Sequence, residues 1–461
     1  MQAVTLEQVA RALALANEAG ESRGRILLNV FETLDHAAVR YCVLHGYEDY
    51  PQRIKSDVDC VIDAATTPAQ LYAVLHYSRA HIGAEIVRCR GGYIVLAGKD
   101  ADGSPCFLTL DLTVDCELDG LPLQAGAEVL ESRRRHGGFW IPAADLEFGC
   151  YLARSIAKGV LDEERTQKLS RLFKQDAAGC AQQVARFWKS ESAEFILQAA
   201  RSGDWGHVRR DLDRFRAELR RRAILQRPGR FIENKLRGWM SRIRRLWQPD
   251  GLSVVLLGPD GAGKSSVVDA LGPKLHGAFA RTSTTGFAPP LHRLLRRGKR
   301  PTDQPHALPP RSFLTSLVRA AYWLAFEMVS DVKLRVAVAR STLVLNDRHF
   351  VDILVDRKRY RYGGPVWLLW LIWRLIPKPD VILVLDAPPE VLQARKQEVS
   401  YEETARQREA YLSLVRTLPN GHVVDAAGSL DQVTDRVSDI ILRQLRARIA
   451  RRLALEQGSP R

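Results

Sequence analysis

The 461-residue sequence predicts an α/β protein of two domains. The C-terminal domain is expected to be a parallel sheet wrapped by helices. The N-terminal domain is expected to be α+β with a helical extension. Three observations predict this. From Leu252 onward, apolar runs at 253–257, 342–346, 380–385 and 421–425 alternate with long helical patterns, as parallel strands joined by crossover helices do. Up to about residue 140, short strands separated by glycine turns dominate: Val39–Leu44, Val58–Ile62, Glu85–Cys89, Tyr93–Ala97 and Phe107–Val114. Between Ala143 and Gln248 the apolar period is helical and β-branched runs are scarce. The expected boundaries are 1–225, a linker over 226–250, and 251–461.

Composition bounds the function. A 46% apolar and 26% charged chain is globular, and a net charge of +15 favours polyanionic partners such as nucleotides, nucleic acid or an anionic membrane face. All seven cysteines lie between Cys42 and Cys180, without a C-x-x-C or His-Cys cluster, so zinc is not expected. Met1 to Ala19 carries Glu7 and Arg11 and does not read as a signal peptide, so a reducing cytoplasm with free thiols is expected. No run approaches the roughly 20 apolar residues of a membrane span. The nearest, Val366 to Trp373, stops at Arg374 and Pro377 and predicts a buried or interfacial helix.

In the linker, Pro228-Gly229 and Pro249-Asp250-Gly251 bracket a basic helix. Ile232, Leu236, Met240, Ile243 and Trp247 share one face, while Lys235, Arg237, Arg242, Arg244 and Arg245 cover the rest. Three uses compete: an interdomain strut, a membrane-surface helix, or a nucleic-acid contact. Arg293 to Pro310, rich in Arg, Lys and Pro, predicts a loop beside the nucleotide site.

The strongest local signal follows the strand Ser253–Leu257. Gly258-Pro259-Asp260-Gly261-Ala262-Gly263-Lys264-Ser265, with Ser266 behind it, is the pattern G-x-x-x-x-G-K-[ST] between a buried strand and a helix start. Successive backbone N–H groups of such a loop curl around phosphates, and the helix N-terminus adds partial positive charge. Lys264 is expected at the β- and γ-phosphates of ATP, and the Ser265 hydroxyl on Mg²⁺. A second signal, Asn346-Asp347-Arg348-His349, ends the strand Leu343–Leu345. Asp347 there suits the magnesium ion or the acceptor, and Arg348 suits bidentate pairing with a phosphate. A third is Asp386-Ala-Pro-Pro-Glu390, followed by Arg395-Lys396, Arg406 and Arg408. These arginines are expected to close over the transferring phosphate.

On these elements, residues 252 to about 445 resemble thymidylate kinases and related nucleoside monophosphate kinases. The resemblance implies a P-loop kinase fold, with Asp260 contacting the acceptor, Arg348 its phosphate, and a lid beginning at Arg395 on the γ-phosphate. The departures fall in the acceptor pocket. After Asp-Arg the family has a serine and then Ala-Tyr-Gln; this sequence has Asp352 and then Val355-Asp356-Arg357. The acid often found before the loop glycine is Leu257. The family's Arg-Glu-Pro-Gly-Gly segment is not recognisable, and Thr284–Pro290 stands near its place. Asp356, followed by Arg357-Lys358-Arg359-Tyr360, reads as an altered acceptor site carrying its own cations.

In the N-terminal half, Asp57 and Asp59 are two apart and share one side of a strand, and Asp111 lies on a later strand. Three such carboxylates suit two magnesium ions for attack on an α-phosphate. With the turn at Gly46-Tyr47, roughly residues 25 to 200 resemble the nucleotidyltransferase superfamily, which has Gly-Gly or Gly-Ser at that turn. Three readings follow. The first is an ATP- and Mg²⁺-dependent phosphotransferase for a nucleotide, sugar or related small acceptor, fused to a nucleotidyltransferase-like domain. The second is a thymidylate kinase with a regulatory N-terminal domain. The third is a nucleotide-switched module that binds membrane or nucleic acid. The expected partners are a nucleoside triphosphate, a small phosphate acceptor, an anionic membrane face and a second copy of the chain.

Overall fold

The computed structural model describes residues 22–285, 309–397 and 399–457. Met1–Ala19, and the Arg293–Pro310 loop except its last two residues, lie outside the described residues. So does the Thr284–Pro290 segment beyond Thr285. Contacts divide the chain into two compact units. The first holds the described residues up to Arg242 with those from Arg448 onward, and the second runs from Ile243 to Ala447. The basic helix Pro228–Trp247 is continuous through this division.

The first unit is built on a five-stranded sheet: β1 (Tyr41–Val43), β2 (Val58–Ile62), β3 (Ala84–Arg90), β4 (Tyr93–Lys99) and β5 (Pro105–Thr113), in the order β1-β2-β5-β4-β3. β2 and β5 run parallel, with Asp59 opposite Asp111, and the other pairs are antiparallel. Along β5 buried and half-buried residues alternate strictly, because one pleat face packs on the core. That core holds Phe31, Val58, Leu75, Leu96 and Leu110. Two hairpins follow that the sequence reading did not anticipate: β6 (Cys116–Leu118) with β7 (Leu121–Gln124), and β8 (Arg134–His136) with β9 (Phe139–Ile141).

From Ala144 to Gln226 the unit is helical, as the period predicts. Helix ends follow local chemistry. Ala144–Lys158 stops at Gly159, whose φ of 74° suits a residue without a Cβ. Glu163–Gln175 starts at Asp162, whose carboxylate accepts from Arg165 N at 3.0 Å. The helical core surrounds Phe148, Leu169, Trp188, Trp205 and Phe215. Both buried indoles donate, Trp188 to the Phe215 carbonyl at 3.1 Å and Trp205 to Ser170 Oγ at 3.2 Å. All seven cysteines are free and buried.

The second unit carries a fully parallel sheet of β10 (Leu252–Leu257), β11 (Arg281–Thr285), β12 (Thr342–Asn346), β13 (Val381–Asp386) and β14 (Gly421–Asp425), in the order β11-β12-β10-β13-β14. β10 is buried at every residue, which explains its nearly continuous apolar run, interrupted only by buried Ser253: a central parallel strand is covered on both faces. The polar strand β11 escaped the sequence reading because all five of its residues are exposed. Between the strands pack the helices Lys264–Lys274, Phe313–Ala339, Val366–Leu375 and Tyr401–Arg416. The helix Val366–Leu375 buries Leu369, Ile372 and Trp373 and exposes Trp367, Trp370 and Leu371. Among the described residues no helix is long and apolar enough to cross a membrane.

Candidate active site

Parallel sheets bind ligands beyond the carboxyl ends of their strands. At the end of β10, Gly258 (φ 142°) and Gly261 (φ 88°) turn the chain into the helix Lys264–Lys274. A Cβ on Gly258 would stand 2.7 Å from the Leu385 carbonyl oxygen, and one on Gly261 2.5 Å from that of Leu392. Only glycine fits either place. Pro259 and Ala262 are buried under the loop, and Gly263 caps the helix. Lys264 is the first helical residue, with Ser265 and Ser266 exposed behind it on the first turn.

Lys264 curls back over the loop. Its Nζ donates to the carbonyls of Gly258 at 2.7 Å and Pro259 at 2.9 Å. Burial lowers its pKa, against the opposing pull of Asp260 and Asp352. Ser265 Oγ donates to Asp347 Oδ2 at 2.7 Å across the adjacent tips of β10 and β12. The other oxygen, Asp347 Oδ1, is buried without a hydrogen-bond partner. A hydroxyl and a carboxylate with an unused oxygen form a hard-oxygen donor pair that fits Mg²⁺. A magnesium ion held by Ser265 and Asp347 would supply positive charge to phosphate oxygens.

Beside the loop lies a pocket walled by Asp260, Lys264, Arg348, Asp352, Asp356 and Arg359 and closed by Tyr360, Gln407 and Tyr411. Asp260 pairs closely with Arg359 and stands 3.7 Å from Arg348. Burial weakens the Arg348 guanidinium, but Tyr360, Asp352 and Asp260 outweigh it and raise its pKa. Buried Asp352 accepts from Tyr411 at 2.8 Å and from His349 N at 2.9 Å. Burial raises its pKa, and the His349 N–H, Lys264 and Tyr411 oppose that. Buried Asp356 accepts from Arg359 N at 3.0 Å and from Gln407 at 3.2 Å. Two arginines among three carboxylates make a site of alternating charge.

The structure thus brings Gly258, Asp260, Lys264 and Arg348 together, with Ser265 and Asp347 at the neighbouring strand tips. It also places Asp352, Asp356, Arg359 and Tyr360 in the pocket. Gln407 and Tyr411 escaped the sequence reading. Their signal is a spacing of four on the helix Tyr401–Arg416, which sets both on one face toward the two aspartates.

The lid arginines depart from expectation. Arg395 is tied to the carbonyls of Ala426 at 2.8 Å, Ala427 at 3.3 Å and Gly428 at 3.4 Å, outside the pocket wall. Arg408 grips Asp386 with two bonds of 2.6 and 2.9 Å, and Arg406 grips Glu403 at 2.9 and 2.7 Å. Nearby acceptors therefore claim each of these guanidinium groups in this conformation. Arg395→Ala is expected to cost about 1–2 kcal/mol of stability by freeing those carbonyls. It should leave the KM for ATP within about twofold, as urea titration and initial rates would show.

In the first unit the expected three-carboxylate metal centre is not assembled. Among the described residues no group of three or more His, Cys, Asp or Glu is placed to hold a metal ion. Asp57 lies just ahead of β2 and accepts from Tyr93 Oη at 3.2 Å. Asp59 is balanced by Arg154 at 3.2 Å, with His45 Nε2 at 3.6 Å. Burial lowers the His45 pKa, against the opposing pull of Asp59. The Asp111 carboxyl is raised by burial and by the charges of Asp59 and Asp57. Tyr47, at the turn after Gly46, points inward and donates to Glu147 Oε2 at 2.6 Å. Lys168 Nζ bridges Glu147 and Glu48, each at 2.7 Å.

About 44% of the chain is homologous to thymidylate kinases. The thymidylate kinase of Xanthomonas euvesicatoria pv. vesicatoria (strain 85-10) is 28% identical over 217 residues, covering 44% of this chain and 88% of its own. That of Xylella fastidiosa (strain M12) is 28% identical over 211 residues, covering 44% and 91%. A solved thymidylate kinase from Candida albicans aligns with a TM-score of 0.34 and 19% identity over 43% of this chain and 93% of its own. No family model matches the chain.

Proposed function

We propose that the second unit transfers the γ-phosphoryl group of ATP, with Mg²⁺, to a small acceptor held in the pocket between the P-loop and the helix Tyr401–Arg416. The observation that carries this reading is the bond of Ser265 to Asp347 at 2.7 Å beside an unpartnered Asp347 oxygen, at the mouth of a glycine-shaped phosphate loop. The homology to thymidylate kinases supports the same class of reaction.

The chain's own groups divide the work. The loop amides and the helix N-terminus bind the phosphate tail. Lys264 leaves the two loop carbonyls and turns its ammonium group to the phosphate oxygens, where charge spreads in the transition state. Arg348 and Arg359 bind the anionic or polar group of the acceptor, and Asp260 positions both guanidinium groups. No covalent nucleophile is needed; positioning and charge stabilisation carry the reaction.

The acceptor is read as a phosphorylated nucleotide, sugar or related molecule. Asp352 and Asp356 are buried acceptors of hydrogen bonds, and sites built on such groups discriminate strongly among ligands. A panel of acceptors with radiolabelled ATP tests the reading. Label on thymidylate would identify a thymidylate kinase, and label on another monophosphate or sugar would identify an altered acceptor. Hydrolysis alone would contradict phosphotransfer. With the acceptor found, Arg359→Gln is expected to raise its KM about 10- to 100-fold and leave the KM for ATP unchanged.

The first unit is proposed to be nucleotidyltransferase-like. Support comes from Asp59 and Asp111 standing opposite one another on parallel β2 and β5, beside the glycine turn at Gly46. Nucleotidyl transfer that survives Asp59→Asn with Asp111→Asn in the full chain would contradict this assignment.

A further inference from the structure

We propose that the helix Pro228–Trp247 docks on an anionic lipid surface, its apolar face entering the headgroup boundary and its arginines pairing with lipid phosphates. None of its residues is buried. Ile232, Leu236, Trp239, Met240, Leu246 and Trp247 are each more than half exposed, and Ile243 is 39% exposed. At 100° per residue these seven fall within roughly 120° of arc.

The opposite side is fastened to the first unit. Asn234 donates to the Gly120 carbonyl at 3.5 Å, and Arg230 stands 3.8 Å from Asp115 at the same β6–β7 hairpin. On the helical wheel these two residues lie about half a turn from the centre of the apolar arc. The apolar face therefore points away from the hairpin.

Charge selects the occupant. The helix carries the cations Arg230, Lys235, Arg237, Arg242, Arg244 and Arg245 and one acid, Glu233, which is paired with Arg230 and Arg237. Arg242 borders the apolar arc on one side and Arg244 on the other, while Lys235, beside Arg242, donates to the Asp119 carbonyl at 3.0 Å. Apolar residues and tryptophans flanked by cations match the boundary between acyl chains and anionic headgroups. A nucleic acid would satisfy the cations but leave the apolar arc in water. A second copy would bring like-charged borders together. The helix cannot cross the bilayer, so it lies on it.

The test is sedimentation of the full chain with vesicles of phosphatidylcholine and phosphatidylglycerol, beside pure phosphatidylcholine vesicles. Binding to the anionic vesicles alone, weakening with salt, is expected. Replacing Arg242 and Arg244 with glutamine should lower partitioning roughly 30-fold. Leu236→Ser with Trp239→Ser and Met240→Ser should lower it at least about 100-fold. Both variants should still melt cooperatively and keep the wild-type phosphotransfer rate, since the changed side chains are exposed and lie outside the pocket. The proposal is overturned by absence of vesicle binding, by equal binding to both vesicle types, or by a serine variant that still binds. Nucleic-acid binding or self-association through this face without vesicle binding overturns it equally.

Discussion

Lys264→Met is expected to lower phosphoryl transfer at least about 1,000-fold while making the second unit more stable, by about 1 kcal/mol. The two effects have one cause. The ammonium group is buried, and its hydrogen-bond partners are two neutral carbonyls. Burial lowers its pKa below 10.5, the value of an unfolded lysine. Between the lowered value and 10.5 the unfolded chain binds more protons, so this group makes stability rise with pH across that window. At neutral pH it costs stability, and methionine removes the cost. The variant should lack the alkaline rise and lose the group that meets the phosphate charge. A thermal melt with initial-rate kinetics separates the two. A variant that is both less stable and fully active would refute the role given to Lys264.

Lys168→Met should have the largest effect on stability, a loss of about 3–5 kcal/mol in the first unit. It leaves Glu147, whose side chain is fully buried, without its cation. The remaining contact from Tyr47 cannot neutralise the carboxylate. Burial lowers the Lys168 pKa, but Glu147 and Glu48 outweigh it and raise the value above 10.5. The stability it contributes is therefore complete below pH 10.5 and is lost as pH rises through the raised value. Adding Glu147→Leu should return most of the loss, because removing both charges ends the penalty. Urea titrations of the single and double variants measure this. A single variant within 1 kcal/mol of the parent would show that Glu147 finds another partner.

The parallel sheet of the second unit was legible because central strands are buried on both faces and write themselves as nearly continuous apolar runs. Leu252–Leu257 and Val381–Asp386 are both of this kind. The loop Gly258–Ser265 was legible because its glycines are fixed by sterics: Gly258 and Gly261 have carbonyls where a Cβ would go. β11 was hidden because an edge strand of Arg, Thr and Ser lacks the apolar signature of a strand. The short hairpins β6–β7 and β8–β9 have three or four residues per strand, too few for a period to show.

Within the site, sequence order could place Asp347-Arg348 at a strand tip but could not assign partners. Arg395, Arg406 and Arg408 resemble phosphate-binding cations by position. In space each lies against a closer acceptor: the 426–428 carbonyls, Glu403 and Asp386. Gln407 and Tyr411 belong to the pocket because a helix about 50 residues further along the chain packs over Asp352 and Asp356. That juxtaposition is tertiary and leaves no local signature. The carboxylates of the first unit show the converse. Asp59 and Asp111 are opposite one another as the pattern implies, yet Arg154 takes up Asp59 from the helix Ala144–Lys158.

Titration calorimetry of magnesium and a nonhydrolysable ATP analogue into the full chain and its Lys264→Met variant tests the central claim most directly. The expected result is magnesium-dependent heat with the parent and binding at least about 100-fold weaker with the variant, both proteins melting cooperatively. Absence of magnesium-dependent heat with ATP or GTP analogues, or undiminished binding by the folded variant, would contradict a phosphate site at the end of β10.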